Sequence, residues 1–181
     1  NISKSSGKGL GVVASDFDND NDLDIYVAND KVMNHMFINN GDGTFLEEGL
    51  FLGVGFNENG KAEAGMGVDV GDYNSDGWFD LFVTNFSGES NTLYKNEKNG
   101  FFSDVTFATG LGQPSLDLLS WGTKFIDLDL DGDLDIFTVN GHINENVKYF
   151  SSNYFYKQPK QIFINLGDGK FVDNSKKYGL V

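Results

Sequence analysis

Between Asp127 and Asp135 the chain reads DLDLDGDLD, five aspartates on alternate positions with a glycine in sixth place. Five carboxylates within nine residues repel one another even in water. A hard cation bound through oxygens relieves that repulsion, and calcium takes six to eight such ligands. In a calcium loop of this kind the side chains at positions one, three, five and nine turn inward, and position seven offers its carbonyl. The ligands expected here are Asp127, Asp129, Asp131 and Asp135, with the backbone of Asp133. Gly132 falls where the loop turns sharply and a positive φ is expected, which glycine adopts without steric cost.

The same figure occurs twice more. Asp16 to Asp24 reads DFDNDNDLD, with ligand positions Asp16, Asp18, Asp20 and Asp24; Asp72 to Asp80 reads DYNSDGWFD, with Asp72, Asn74, Asp76 and Asp80. Asn21 replaces the glycine of the first loop, and asparagine tolerates the left-handed region better than most residues. Asn74 supplies a neutral amide oxygen, so the middle loop carries less charge and is expected to bind calcium more weakly. Three copies in one chain argue against merely solvated acidic loops.

The first aspartates of the loops, Asp16, Asp72 and Asp127, are 56 and 55 residues apart. A glycine precedes each by five (Gly11, Gly67, Gly122), and an asparagine follows each by thirteen (Asn29, Asn85, Asn140). Between loop and asparagine stand IYVA, LFVT and IFTV, runs that read as strands covered on both faces. A hairpin follows in each repeat. Third strands are expected at Met36–Asn39, Leu93–Asn96 and Ile162–Asn165, and fourth strands from Phe45, Phe102 and Phe171. The turns between them hold Asp42-Gly43, Asn99-Gly100 and Asp168-Gly169, dipeptides favoured in tight hairpins. Four short strands per repeat, almost no helical periodicity and apolar faces on both sides describe the blade of a β-propeller. Such units bury their faces only by stacking. The expected organisation is one incomplete propeller: blade one at about 9–48, blade two at about 65–105, and blade three at about 120–174. The third carries an aromatic-rich insert at about 141–161 that is a candidate for partner contact.

Composition narrows the partners. The formal charge is −14, and thirteen of the 27 acidic residues lie in the three loops, so three calcium ions would bring the charge to −8. An acidic surface argues against nucleic acid or anionic lipid. No apolar run approaches the length that spans a bilayer. Without cysteine there are no disulfides and no thiolate metal sites. The chain opens on Asn1 rather than methionine, with no hydrophobic leader, so a processed product or a piece of something longer is expected.

Other motifs carry less. An EF-hand needs a glutamate at position twelve and flanking helices, whereas Val27, Val83 and Thr138 stand there, inside strands. Gly9, Gly11 and Ala14 mimic a dinucleotide fingerprint, but a calcium loop follows where a helix should start. His35 and His142 fall in different repeats with no evident third partner, and no Gly-x-Ser-x-Gly elbow exists. Asn85-Phe86-Ser87 matches a glycosylation acceptor, yet Asn85 occupies a place shared by all repeats, which favours a structural role.

The strings GMGVDVGDYNSDGWFDLFVTN, ESNTLYKN, LSWGTKFIDLDLDGDLDIFTVNGHI and IFINLGDGKF cover most of the chain. They resemble the FG-GAP/VCBS repeat family, whose blades occur in integrin-α-type propellers, and more closely its subgroup allied with ASPIC/UnbV and cartilage acidic protein. The resemblance implies a β-propeller with calcium between the first and second strands of each blade, on proteins that are mostly exported. It implies the ligands already named, with the carbonyls of Asp22, Trp78 and Asp133 at position seven. Two departures from the family are Asn21 in place of glycine and the presence of only three repeats, too few to close a ring.

The function expected is a calcium-binding module, extracellular, at the cell surface or periplasmic, acting as a binding, adhesion or assembly scaffold and not as an enzyme. Its expected partners are the rest of its own propeller or other protein chains, with a glycan as a further candidate, and neither nucleic acid nor an inserted membrane. Two alternatives stand beside it: a propeller belonging to, or accessory to, a polysaccharide-acting enzyme, and a purely structural subunit of a larger complex or filament.

Overall fold

The computed structural model describes residues 2 and 5–180. Among these residues, twelve strands form three separate four-stranded antiparallel sheets, each made of strands consecutive in sequence. The first holds β1 (Gly9–Ser15), β2 (Asp24–Asn29), β3 (His35–Asn39) and β4 (Phe45–Glu47). The second holds β5 (Val68–Gly71), β6 (Asp80–Val83), β7 (Thr92–Asn96) and β8 (Phe102–Asp104). The third holds β9 (Ser120–Ile126), β10 (Asp135–Asn140), β11 (Gln161–Asn165) and β12 (Phe171–Asp173). One helical turn, α1 (Gly112–Ser115), lies in the second linker, and a 3-10 turn at Val147–Tyr149 lies in the insert. The all-β blade architecture read from the repeats is the observed one. The third strands start one residue earlier than the apolar pattern suggested, and the fourth start at the three phenylalanines.

Register repeats with the sequence. Ser15 pairs with Asp24, Gly71 with Asp80 and Ile126 with Asp135, so every acidic loop is closed by its own hairpin at the ninth-position aspartate. Asn39 pairs with Phe45, Asn96 with Phe102 and Asn165 with Phe171 at the second hairpin.

The sheets stack through two apolar layers. Between blades one and two lie Tyr26, Met36, Val54, Leu81, Val83 and Tyr94; between blades two and three lie Phe82, Leu93, Leu111, Phe125, Ile136 and Phe163. Residues of β6 alternate between the two layers, and all four are buried. That explains why its sequence lacks polar alternation: both faces are covered. In β2, Ile25 and Val27 are less buried than Tyr26 and Ala28, and in β10 Phe137 and Val139 are less buried than Ile136 and Thr138, because each end blade is covered on one side only.

The glycines five before the loops mark where adjacent blades touch. A Cβ at Gly11 would meet the Met66 carbonyl at 2.4 Å, and one at Gly67 the Trp121 carbonyl at 2.0 Å, each in the following blade. Gly122 meets only Val139, in its own sheet. Polar ties reinforce the stack: Asp69 accepts from Lys124 Nζ at 2.8 Å and from the Phe125 N–H at 2.7 Å.

Candidate metal centre

All three acidic loops lie at the same end of their sheets, between first and second strands, and are built alike. Positions four and six both take left-handed backbone: Asn19 and Asn21, Ser75 and Gly77, Leu130 and Gly132. The sixth position was legible as a turn; the fourth was not, since serine and leucine there carry no signal for positive φ. These two reversals direct backbone N–H groups inward. The position-one carboxylate accepts from the N–H groups of positions five and six: Asp16 from Asp20 and Asn21, Asp72 from Asp76 and Gly77, Asp127 from Asp131 and Gly132. The position-five carboxylate accepts from the N–H of position seven, at 2.8 Å for Asp20, 3.1 Å for Asp76 and 2.9 Å for Asp131.

The ninth aspartates, Asp24, Asp80 and Asp135, are fully buried. One oxygen of each accepts from the N–H of position two (Phe17, Tyr73, Leu128), the other from the N–H of the asparagine ending the third strand (Asn39, Asn96, Asn165). Burial pushes all three carboxyls above the usual range against the pull of these hydrogen bonds, Asp80 to about 7. Burial and the neighbouring Asp20 carboxylate do the same to Asp18. The fold thus concentrates negative charge that its own dipoles only partly offset.

In the first loop, oxygens of Asp16, Asp18 and Asp24 lie within 4.8 Å of one another; in the third, so do those of Asp127, Asp129 and Asp135. Calcium–oxygen distances are about 2.3–2.6 Å, so oxygens on opposite sides of one ion stand roughly 5 Å apart. The spacing and the all-oxygen donor set fit such a cation. Asp20 and Asp131 border these triples without joining them. In the middle loop Asn74 holds the place of the second acid, and among the described residues Asp72, Asp76 and Asp80 do not gather within that distance.

Three groups not singled out in the sequence belong to this end of the molecule. Asn96 Nδ2 donates to the Phe17 carbonyl at 2.9 Å, and Asn165 Nδ2 to the Tyr73 carbonyl at 2.7 Å, each reaching into the preceding blade's loop. Their recurrence at the end of every third strand was the available signal. Lys98 is the third, paired with Asp76.

Away from the loops, His35 packs edge-on against Phe37, and His142 lies between Phe86 and Tyr154 with its Nδ1 accepting from the Asn144 N–H. Asn85 is buried, its Nδ2 donating to Glu63, Ser90 and Thr92. In the insert Tyr149, Phe150, Phe155 and Tyr156 are exposed, while Tyr154 stacks on His142.

A family model described as FG-GAP-like repeat matches residues 16–83 and again 72–138. The chain is 29% identical over 154 residues to cartilage acidic protein 1 of Homo sapiens, covering 84% of this chain and 21% of that protein. It is 28% identical over 135 residues to cartilage acidic protein 1 of Xenopus tropicalis, covering 73% and 20%. It therefore spans about a fifth of the length of these curated relatives. Among solved structures, it superposes on an Agrocybe aegerita lectin described as recognising non-reducing terminal N-acetylglucosamine. That match has a TM-score of 0.48 and 20% identity, and covers 89% of this chain and 36% of the lectin.

Proposed function

This chain belongs to the FG-GAP-like repeat family, and from that premise we propose that it is an extracellular, cell-surface or periplasmic calcium-binding propeller module that acts by binding. The observation that carries the reading is the gathering of three carboxylates within 4.8 Å in the first and third loops. In this reading Asp16, Asp18, Asp20 and Asp24 hold one ion, with the Asp22 carbonyl. Asp72, Asn74, Asp76 and Asp80 hold a second, with the Trp78 carbonyl. Asp127, Asp129, Asp131 and Asp135 hold a third, with the Asp133 carbonyl. The ion supplies positive charge that joins the loop to the buried ninth aspartate; the chain supplies the oxygens and the backbone turns that aim them. Residues 9–48, 65–105 and 120–174 serve as three blades of one propeller.

The partners proposed are further blades or other chains at the two end faces, and a protein or glycan at the insert. Support for the first comes from apolar residues left open at both ends of the stack. Leu10, Val12 and Leu46 are exposed on blade one. On blade three, Ile126, Leu128, Phe137, Ile162, Tyr178 and Leu180 line a hollow. Isothermal titration of chelator-stripped protein with calcium tests the reading. Binding heat with a rise in melting temperature is expected; neither heat nor a shift overturns it.

A further inference from the structure

The hairpin turn joining third and fourth strands hangs beside the acidic loop of its own blade, and the residue nearest that loop is not the same in every blade. In blades one and three it is glycine, Gly41 (φ 71°) and Gly167 (φ 76°). A Cβ there would meet the Asp22 carboxylate at 2.8 Å and the Asp133 carboxylate at 3.0 Å. In blade two the residue is Lys98, with the same left-handed backbone (φ 65°). The backbone of the turn is otherwise alike in the three blades. The N–H of Gly41, Lys98 or Gly167 donates to the side chain of the asparagine two residues earlier, at 3.1, 3.0 and 3.1 Å.

A lysine is disfavoured in that backbone region, and an outlier held in place points to a compensating role. The compensation is at the ammonium. Lys98 Nζ donates to the Asp76 carbonyl at 3.1 Å and stands 3.4 Å from Asp76 Oδ2. Asp76 Oδ1 already accepts from the Trp78 N–H. Two further exchanges go with the lysine: Asn74 at position three and Trp78 at position seven, where both outer loops have aspartate. The outer loops hold five carboxylates each, the middle loop three and a tethered cation.

We infer that Lys98 is a built-in counter-ion of the middle loop, so that the chain takes up calcium in two stages, the outer loops first and the middle loop only at higher calcium. This rests on the calcium reading proposed above. The ammonium occupies the position-five carboxylate and repels an arriving divalent ion at short range. The middle blade, packed on both sides, has part of its loop's charge offset without metal.

Trp78 lies in the middle loop, and the only other tryptophan, Trp121, is the second residue of β9, at the end of the strand away from its loop. Terbium luminescence excited through tryptophan therefore reports the middle loop, while equilibrium dialysis counts all bound calcium. Expected for the wild type are two tightly bound calcium ions and a terbium signal that rises only at higher concentration. Lys98→Gly, which suits the positive φ, and Lys98→Gln, which keeps the length, should bind three calcium ions and lower the terbium midpoint about tenfold. Lys98→Arg should behave as wild type. Three ions of like affinity in the wild type, or a midpoint unmoved in both neutral variants, overturns the inference alone. No calcium bound by any form overturns the calcium reading and this inference with it.

Discussion

Asn165 donates from Nδ2 to the carbonyl of Tyr73, 92 residues earlier, at 2.7 Å. Its own backbone N–H meets Asp135 Oδ1 at 2.8 Å, so one residue ties the acidic loop of blade two to that of blade three. Asn96 does the same between blades one and two, whereas Asn39 Nδ2 reaches only Leu23 in its own loop. Asn96→Ala and Asn165→Ala should each cost about 1–3 kcal/mol, the penalty of stranding a buried acceptor. Asn39→Ala should cost less. Equal losses for all three in urea denaturation would remove the cross-blade role.

Calcium bound to the folded chain and not to the unfolded one stabilises by mass action, about 2.7 kcal/mol per site at a hundredfold excess over Kd. Chelation should lower the melting temperature. Asp131→Ala should weaken calcium binding more than Asp133→Ala, since in the proposed loop residue 131 contributes a side-chain oxygen and residue 133 only its carbonyl. Like affinities for the two variants would count against that assignment.

Glu63 offers a pH test away from the loops. Its carboxylate is buried, accepting from Thr92 Oγ1, Asn57 Nδ2 and Asn85 Nδ2, and Glu89 lies near. Burial raises its pKa above the ordinary glutamate value, opposed by the Thr92 and Asn57 hydrogen bonds. The folded state thus holds the proton more tightly than the unfolded one. The contribution is fully present below the unfolded pKa and is lost as pH rises through the folded value. Glu63→Gln should flatten the fall in stability with rising pH in that window. An unchanged pH profile of the denaturation midpoint would refute this.

The end faces and the middle blade should respond unequally to truncation. Phe82→Ala empties a site packed between blades two and three and should cost about 3–5 kcal/mol. Val12, 67% exposed, should cost within about 0.5 kcal/mol as Val12→Ala. Sedimentation should show self-association through the bare apolar faces, reduced by Val12→Lys with Leu46→Glu, because monomers rarely tolerate large apolar patches. A stable monomer at high concentration with both faces bare would defeat this.

In the insert, Phe150 is 80% exposed, and Phe150→Ser should leave the melting temperature unchanged. Tyr154 stacks on His142, and a Cβ at Gly88 would come within 3.0 Å of its hydroxyl, so Tyr154→Ala should lower it. Equal thermal shifts would mean that the two rings share one packing role.

Much of the architecture was legible because its causes are local. Alternating aspartates, a turn residue at position six and a β-branched run after each loop are contiguous, so spacing alone predicts loop, hairpin and strand. The unbroken apolar stretch at Leu81–Val83 announced burial on both faces, and the structure covers both. The positive φ of Ser75 and Leu130 was not readable, since neither residue type prefers it and only the cradle of N–H groups imposes it.

The sequence by itself determined the repeat, the four-stranded blade, and the acidic loop between first and second strands, because each arises from hydrogen bonds and side-chain alternation within a few dozen residues. Only the tertiary structure decided which faces are covered, that Gly11 and Gly67 admit the neighbouring backbone, and that Asn96 and Asn165 bind carbonyls 79 and 92 residues away. It also decided that the Lys98 ammonium turns onto Asp76. These contacts depend on how blades stack and turns lie over loops, and spacing along the chain does not encode the distance between segments brought together by packing.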